Sequence, residues 1–185
     1  MNSDLSSFLD ETIPVLEDLR KNGARNTLTY DFSCEDLKDD PNYDIKESPK
    51  LKGLLDRIDD MKGPVLYWYE VVSDHSNDAI LNALQEYGQV EDHKAIPAFH
   101  KKHDKPTKIL YVGKCKSHFS TRVIQHLGYF NSKKTQGLQL RCWANKLGLE
   151  LTLHAMEFDN KMADIMLIVE SYFARKLNPL VGKHD

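Results

Sequence analysis

The sequence predicts an α+β fold, in which a small three-stranded antiparallel or mixed sheet is flanked by helices and follows a helical N-terminal extension. Runs rich in β-branched and aromatic residues at 65–72 and 107–113, and an alternating apolar run at 149–158, have the periodicity of strands. The segments between and after them repeat their apolar residues at helical spacing. The chain has 185 residues, of which 41% are hydrophobic and 29% charged, so it can bury a core without disulfides or a structural metal.

The composition also excludes several classes of protein. Its three cysteines are odd in number and lack C-x-x-C spacing, which favours reduced thiols over a disulfide framework or a zinc site. The most apolar run, 163–174, is interrupted by Asp164 and Glu170 and is shorter than the ~20 residues that cross a bilayer. The first ten residues are acidic and serine-rich, unlike a secretory or transit signal. We therefore expect a cytoplasmic protein with no membrane partner.

Residues 1–62 are predicted to form the acidic helical extension, with 9 Lys and Arg against 15 Asp and Glu. Helical spacing runs through 5–22, where we expect Pro14 to interrupt the helix. The turn-rich stretch 24–47 is predicted to be mainly loop. Ser48 and Pro49 have the residue types of the N-cap and first position of a helix, which we expect to end at Gly63.

Residues 63–185 are predicted to form the main domain, with an insertion at about 73–106. After the strand at 65–72, the pattern predicts a helix at 78–87, the strand at 107–113 and a helix at 117–127. A further helix is expected at 136–147, ended by Gly148, before the strand at 149–158. Asn160 is placed to cap a last helix that runs to about residue 177.

Positive charge is concentrated in residues 94–146, which contain 12 Lys and Arg but only one acidic residue, Asp104. His100, His103, His118 and His126 lie in the same stretch. Such a run is typical of a phosphate-binding surface, although a solvated lysine-rich face gives the same pattern.

Glu170 lies at the centre of the predicted last helix, whose sequence is apolar on nearly every side. An ionised carboxylate in apolar surroundings costs several kcal/mol unless a cation or several hydrogen-bond donors compensate it. Either a bound metal ion or a structural arginine such as Arg141 would do so.

Taken together, several short motifs make the chain resemble the GIY-YIG nuclease superfamily, in its restriction-endonuclease-like branch. Val65-Leu66-Tyr67 corresponds to the first family motif, and Tyr111-Val112-Gly113 to the second. Arg122 and His126, four residues apart, match the Arg and His of the next helix, and Glu170 matches the Glu of the helix after the third strand. Pro179-Leu180 corresponds to the phrase that follows it. The resemblance covers about residues 64–183.

The resemblance implies a DNA endonuclease that uses Mg²⁺. It makes Glu170 the protein ligand of the cation, Arg122 the clamp on a phosphate oxygen, and Tyr67 the general base, assisted by His126 and with a pKa lowered by its neighbours. Tyr111 would orient the phosphate. Nucleic acid, most naturally double-stranded DNA, would contact Lys114, Lys116 and Lys183.

The chain also departs from the family pattern. Val65 stands at the first Gly position, and Gly182 at the position of a terminal Asn, whose role would pass to Lys183 or His184 or be lost with some activity. A nucleic-acid-binding module with weak or absent catalysis is therefore an alternative, and a structural protein is another. His93, His100 and His103 with Asp92 would be the ligands of a zinc site, but their spacing matches no standard zinc module.

Overall fold

A four-stranded antiparallel sheet organises the chain. The computed structural model describes residues 2–99, 106–130, 132 and 136–182. The strands are β1 (Asn26–Ser33), β2 (Val65–Val71), β3 (Ile109–Cys115) and β4 (Glu150–Glu157). The α-helices are α1 (Asn2–Asn22), α2 (Lys52–Asp59), α3 (Asn77–Tyr87), α4 (Phe119–Leu127), α5 (Leu140–Trp143) and α6 (Met166–Leu177).

The strand order is β1-β4-β2-β3, and every pairing is antiparallel. Successive side chains of a strand point to opposite faces, so the sheet has two different cores. Tyr67 and Tyr69 of β2 belong to the larger core, together with buried residues of α2, α3, α4 and α5. Leu66 of β2 belongs to the smaller core, against which α6 and the C-terminal half of α1 pack.

The α+β class is therefore confirmed, but the prediction of three strands is wrong. The additional strand is β1, which pairs with β4 over eight residue positions, from Asn26 opposite Glu157 to Ser33 opposite Glu150. The turn-rich sequence of 24–47 predicts mainly loop for this segment. Its alternation is hard to recognise because β1 is an edge strand with only Leu28 and Phe32 buried. The acidic N-terminal region is thus helical only in part, and it shares the sheet with the rest of the chain.

Two predicted helices also differ from the structure. Pro14 lies inside the continuous helix α1, where its exposed position lets the chain accommodate the missing backbone donor. The helix expected at 136–147 is reduced to the single turn α5. Residues 136–139 precede it as an irregular segment, and Gln139 has a left-handed backbone with a φ of 56°.

The helix expected to open at Ser48 begins instead at Lys52 and ends at Asp59, and the helix expected to be capped by Asn160 begins at Met166, after the short 3-10 helix Asn160–Met162. All three cysteines are free, with Cys34 buried and Cys115 and Cys142 half-buried. Within the described ranges, no helix is both long enough and apolar enough to cross a membrane.

Candidate active site

Tyr67 and Tyr111 lie on neighbouring strands, and their rings are 6.2 Å apart between centroids. Gly113 lies opposite Tyr67 in the β2–β3 pairing. A Cβ atom on Gly113 would be only 2.6 Å from the Tyr67 hydroxyl and 2.6 Å from a Tyr111 ring carbon. The glycine of the Tyr-Val-Gly motif is therefore needed because both tyrosine rings lie over its backbone.

Arg122 of α4 connects the two tyrosines. Its Nε donates to the Tyr67 hydroxyl oxygen at 3.2 Å, and its Nη2 donates to the Tyr111 hydroxyl oxygen at 3.4 Å. Its Nη1 donates to the Gln125 side-chain oxygen at 2.9 Å and to the Gln136 carbonyl oxygen at 2.8 Å. These contacts fix the plane of the guanidinium group, so its charge is held beside both phenols.

His126, one helical turn after Arg122, is completely buried against the same tyrosine. The backbone N–H of Leu138 donates to its Nδ1 at 3.2 Å, and its Nε2 lies 2.8 Å from the Tyr67 hydroxyl oxygen. Because a backbone N–H can only donate, Nδ1 is the acceptor and the neutral ring carries its proton on Nε2. His126 therefore donates to Tyr67. Burial, reinforced by the charge of Arg122, holds the pKa of His126 well below its usual range.

The expected lowering of the Tyr67 pKa is not found. Tyr67 has no exposed surface, and burial raises its pKa well above the ordinary value, an effect that the nearby Tyr111 increases. Arg122 acts in the opposite direction, through its charge and its hydrogen bond. Burial disfavours the charged phenolate more than these contacts favour it. The phenol of Tyr67 is therefore protonated at neutral pH.

Glu170 reaches the site from α6, on the other side of the sheet. Its side chain is 15% exposed, and its Oε2 lies 3.9 Å from the Nζ of Lys114 on β3. Burial raises the pKa of Glu170, while the charge and backbone N–H of Lys114 and the charge of Arg122 lower it. The carboxylate is therefore mostly buried but partly accessible to solvent, and the charge of Arg122 acts on it.

The alternative partner proposed for Glu170 has another role. Arg141 is 5% exposed, and its Nη1 donates to Asp39 at 2.9 Å. Its Nε donates to the Gly128 carbonyl oxygen at 3.0 Å. Arg141 thus links Asp39 to the end of α4, and the cation beside Glu170 is Lys114.

The other predicted nucleic-acid contacts are Lys116 and Lys183. Lys116 is exposed and pairs with the exposed Asp164 at 2.8 Å. Lys183 lies outside the described residues, as do His100 and His103 of the zinc hypothesis. His93 is exposed, with its Nδ1 3.0 Å from the Val90 carbonyl oxygen. Within the described part of the chain, no group of three or more His, Cys, Asp or Glu side chains is arranged to hold a metal.

Gly182, at the position where the resemblance predicts an asparagine, has a φ of 119°. This left-handed backbone conformation is rarely adopted by residues with a side chain. The preceding residues Leu180 and Val181 run along β3, and the Gly182 N–H donates to the Ala98 carbonyl oxygen at 2.7 Å. The local backbone conformation therefore accounts for a glycine at this position.

Sequence reasoning missed Gln125 and the segment 136–138, which contact Arg122 and His126. Gln125 is three residues after Arg122, a spacing that places two side chains on the same helix face. The segment acts through its backbone carbonyl and N–H groups, for which the side-chain pattern gives no signal. Only Gly137 marks it in the sequence.

Comparisons of the chain with protein-family models, with curated proteins and with solved structures returned no match.

The packing around Gly113 predicts that Gly113→Ala destabilises the protein. The added methyl group collides with two ring systems that have little freedom to move, and such overpacking costs about 1–3 kcal/mol. Urea unfolding measures the loss. Gly53→Ala is the matched control, because Gly53 is exposed in α2 and alanine is the better helix former. Equal stability of the Gly113→Ala and wild-type proteins would contradict the packing described here.

The neutral, buried His126 predicts a loss of stability in acid. The unfolded chain binds a proton at the ordinary histidine pKa of ~6.5, whereas the folded chain binds it only at a lower pH. Between these two pKa values the unfolded state binds more protons, so stability falls as the pH decreases below ~6.5, by up to ~1.4 kcal/mol per pH unit. Urea unfolding between pH 7 and pH 5 measures this slope. His126→Gln should reduce it, and an unchanged slope would contradict a neutral buried ring.

Proposed function

We propose that this protein is a Mg²⁺-dependent endonuclease that hydrolyses DNA phosphodiester bonds. The observation that carries the proposal is that β2, β3 and α4 bring two tyrosines, an arginine and a histidine into one hydrogen-bonded cluster, while Glu170 of α6 lies 3.9 Å from Lys114 of β3. Arg122 links the two tyrosines, His126 donates to Tyr67, and Glu170 lies within the electrostatic reach of Arg122. This is the set of residues that the GIY-YIG resemblance assigns to one site.

The exposed part of the site suits a phosphate group. Lys114, Arg122 and Glu170 are all partly accessible, whereas Tyr67 and His126 have no exposed surface. The described residues occupy four of the five N–H donors of Arg122. Arg122 thus acts as an oriented positive charge with a single remaining donor for a non-bridging phosphate oxygen.

Glu170 is the residue that would hold Mg²⁺. A solvent-accessible carboxylate in a positively charged site fits this ion, which keeps several waters and needs few protein ligands. When bound, Mg²⁺ supplies positive charge that stabilises the negative charge of the phosphate and the leaving 3′ oxygen. Without it, the Lys114 ammonium is the cation nearest to Glu170.

In the proposed reaction the oxygen of a water molecule attacks phosphorus, and the bond from phosphorus to the 3′ oxygen breaks. The Tyr67 phenol must first release its own proton to bulk water, after which its phenolate oxygen takes the proton of the attacking water, and the leaving 3′ oxygen takes up a proton from bulk water. His126 cannot take the proton of Tyr67, because its Nδ1 accepts the Leu138 N–H and its Nε2 already carries a hydrogen. Instead, His126 and Arg122 both donate to the Tyr67 oxygen and so favour the phenolate.

The alternative is a nucleic-acid-binding module of the same fold with little or no catalysis. Two observations favour it. Burial raises the Tyr67 pKa, which reduces the population of phenolate, and Gly182 stands in place of the family asparagine. Such a module would bind DNA through basic residues of the stretch 94–146, with an affinity that falls steeply as salt increases.

The metal role predicts that Glu170→Gln abolishes cleavage but preserves DNA binding. The substitution keeps the shape of the side chain and removes its charge, so we expect plasmid nicking in Mg²⁺ to fall about 10²–10³-fold. Glu86→Gln, an exposed change on α3, is the matched control and should cut at the wild-type rate.

Gel electrophoresis of plasmid DNA with Mg²⁺ or Mn²⁺ measures cleavage, and fluorescence anisotropy at several salt concentrations measures binding. Equal cleavage by the Glu170→Gln and wild-type proteins would contradict the metal role. Salt-sensitive binding by a wild-type protein that cuts no substrate with either metal would favour the binding module.

A further inference from the structure

The segment 136–138 makes backbone contacts with two side chains of the candidate site. The Gln136 carbonyl oxygen accepts from Arg122, and two residues later the Leu138 N–H donates to His126. The two contacts have opposite polarity: an acceptor faces the guanidinium group, and a donor faces the imidazole. A segment with this polarity selects both the orientation of Arg122 and the protonated nitrogen of His126.

Gly137, between these contacts, lies directly against the backbone of α4. A Cβ atom at this position would be 2.5 Å from the Gln125 carbonyl oxygen and 2.9 Å from the Gln125 carbonyl carbon. Ordinary van der Waals contact needs about 1 Å more than the first of these distances. Because both obstacles are backbone atoms of a helix, any side chain at 137 would move the segment away from α4.

Other hydrogen bonds hold the segment on its remaining sides. The Gly137 N–H and the Gln139 side-chain nitrogen both lie 3.4 Å from the Ala95 carbonyl oxygen, to which they donate. The Trp143 ring nitrogen donates to the Leu138 carbonyl oxygen at 2.7 Å. Leu138 itself is completely buried. The segment is therefore fixed independently of the two side chains that it contacts.

We propose that Gly137 is a positioning residue, which lets the backbone of 136–138 approach α4 closely enough to orient Arg122 and to fix the proton of His126 on Nε2. This inference rests on the proposed nuclease function for its activity measurement only. The fixed tautomer makes His126 a donor to Tyr67, and the oriented guanidinium is the second donor. One glycine thus controls both hydrogen bonds to the phenol oxygen.

The tautomer of His126 can be measured without interference from the ionisation of its neighbours. The titratable groups that face it are Tyr67 and Tyr69 from β2, Tyr111 from β3 and Arg122 from α4. The segment 136–139 contributes no titratable side chain. Between pH 5 and pH 8 none of these neighbours has an ordinary pKa at which it would change charge.

The test compares Gly137→Ala with Gly53→Ala, an alanine substitution in α2 outside the site. We expect Gly137→Ala to remain folded, as judged by circular dichroism, and to lose about 10–100-fold in kcat with a smaller change in KM, since a displacement of about 1 Å has an effect of this size. Gly53→Ala should retain wild-type activity. Wild-type kcat in the Gly137→Ala protein would overturn the proposal.

A second measurement does not depend on activity. In the wild-type protein the ¹⁵N spectrum of the His126 ring should show an unprotonated Nδ1 and a protonated Nε2 from pH 8 to pH 5. In Gly137→Ala the ring should titrate closer to its ordinary pKa. A wild-type ring protonated on Nδ1, or an unchanged ring in Gly137→Ala, would overturn the proposal. If the wild-type protein cleaved no substrate, the proposed function would fail, but these spectra would still decide the role of Gly137.

Gln125→Ala provides a further variant that removes only one support. It takes away the side-chain acceptor of Arg122 and leaves the segment in contact with His126. We expect lower kcat with an unchanged His126 spectrum. A change in the His126 spectrum would contradict the assignment of the tautomer to the Leu138 N–H. Together with the wild-type spectrum, this variant tests whether the Leu138 N–H sets the tautomer of His126 even if Gly137→Ala fails to fold.

Discussion

The arrangement of the candidate site depends on the hydroxyl group of Tyr67, which is buried and must be satisfied within the protein. A buried hydroxyl without partners costs about 1–3 kcal/mol, and here the Arg122 and His126 side chains both donate to it. Each of these donors is held in turn by the segment 136–138. The close packing that this network requires also explains Gly113, over which both tyrosine rings lie.

The periodicity of the sequence predicts the α+β class and the strands β2, β3 and β4, but it does not predict β1. β2, β3 and β4 are rich in buried apolar residues, so their patterns resemble strands wherever they lie in the sheet. β1 is an edge strand that contains many polar residues. Its extended conformation depends on its pairing with β4 and is not evident from its own sequence pattern. The failed helix at 136–147 has a similar cause: tertiary hydrogen bonds to α4 and to Ala95 outweigh the local preference of residues 136–139.

The sequence indicates five candidate catalytic side chains: Tyr67, Tyr111, Arg122, His126 and Glu170. Their order along the chain does not predict the distances between them in the fold. Arg122 and His126 are related by a single helical turn, which can be predicted. The distance between Lys114 and Glu170 depends instead on how α6 packs against β3, and the pKa of Tyr67 depends on the depth at which β2 is buried. Neither quantity is encoded in local spacing. The sequence therefore indicates the candidate residues, but the prediction that the Tyr67 pKa is lowered is wrong.

The most direct test of the account is a crystal structure with Mn²⁺ and a short DNA duplex, in which the anomalous signal of manganese locates the metal. The account predicts one metal peak in direct contact with the Glu170 carboxylate, and a DNA phosphate beside the Arg122 guanidinium group. Manganese bound elsewhere, or DNA lying on a surface remote from Tyr67, would contradict it.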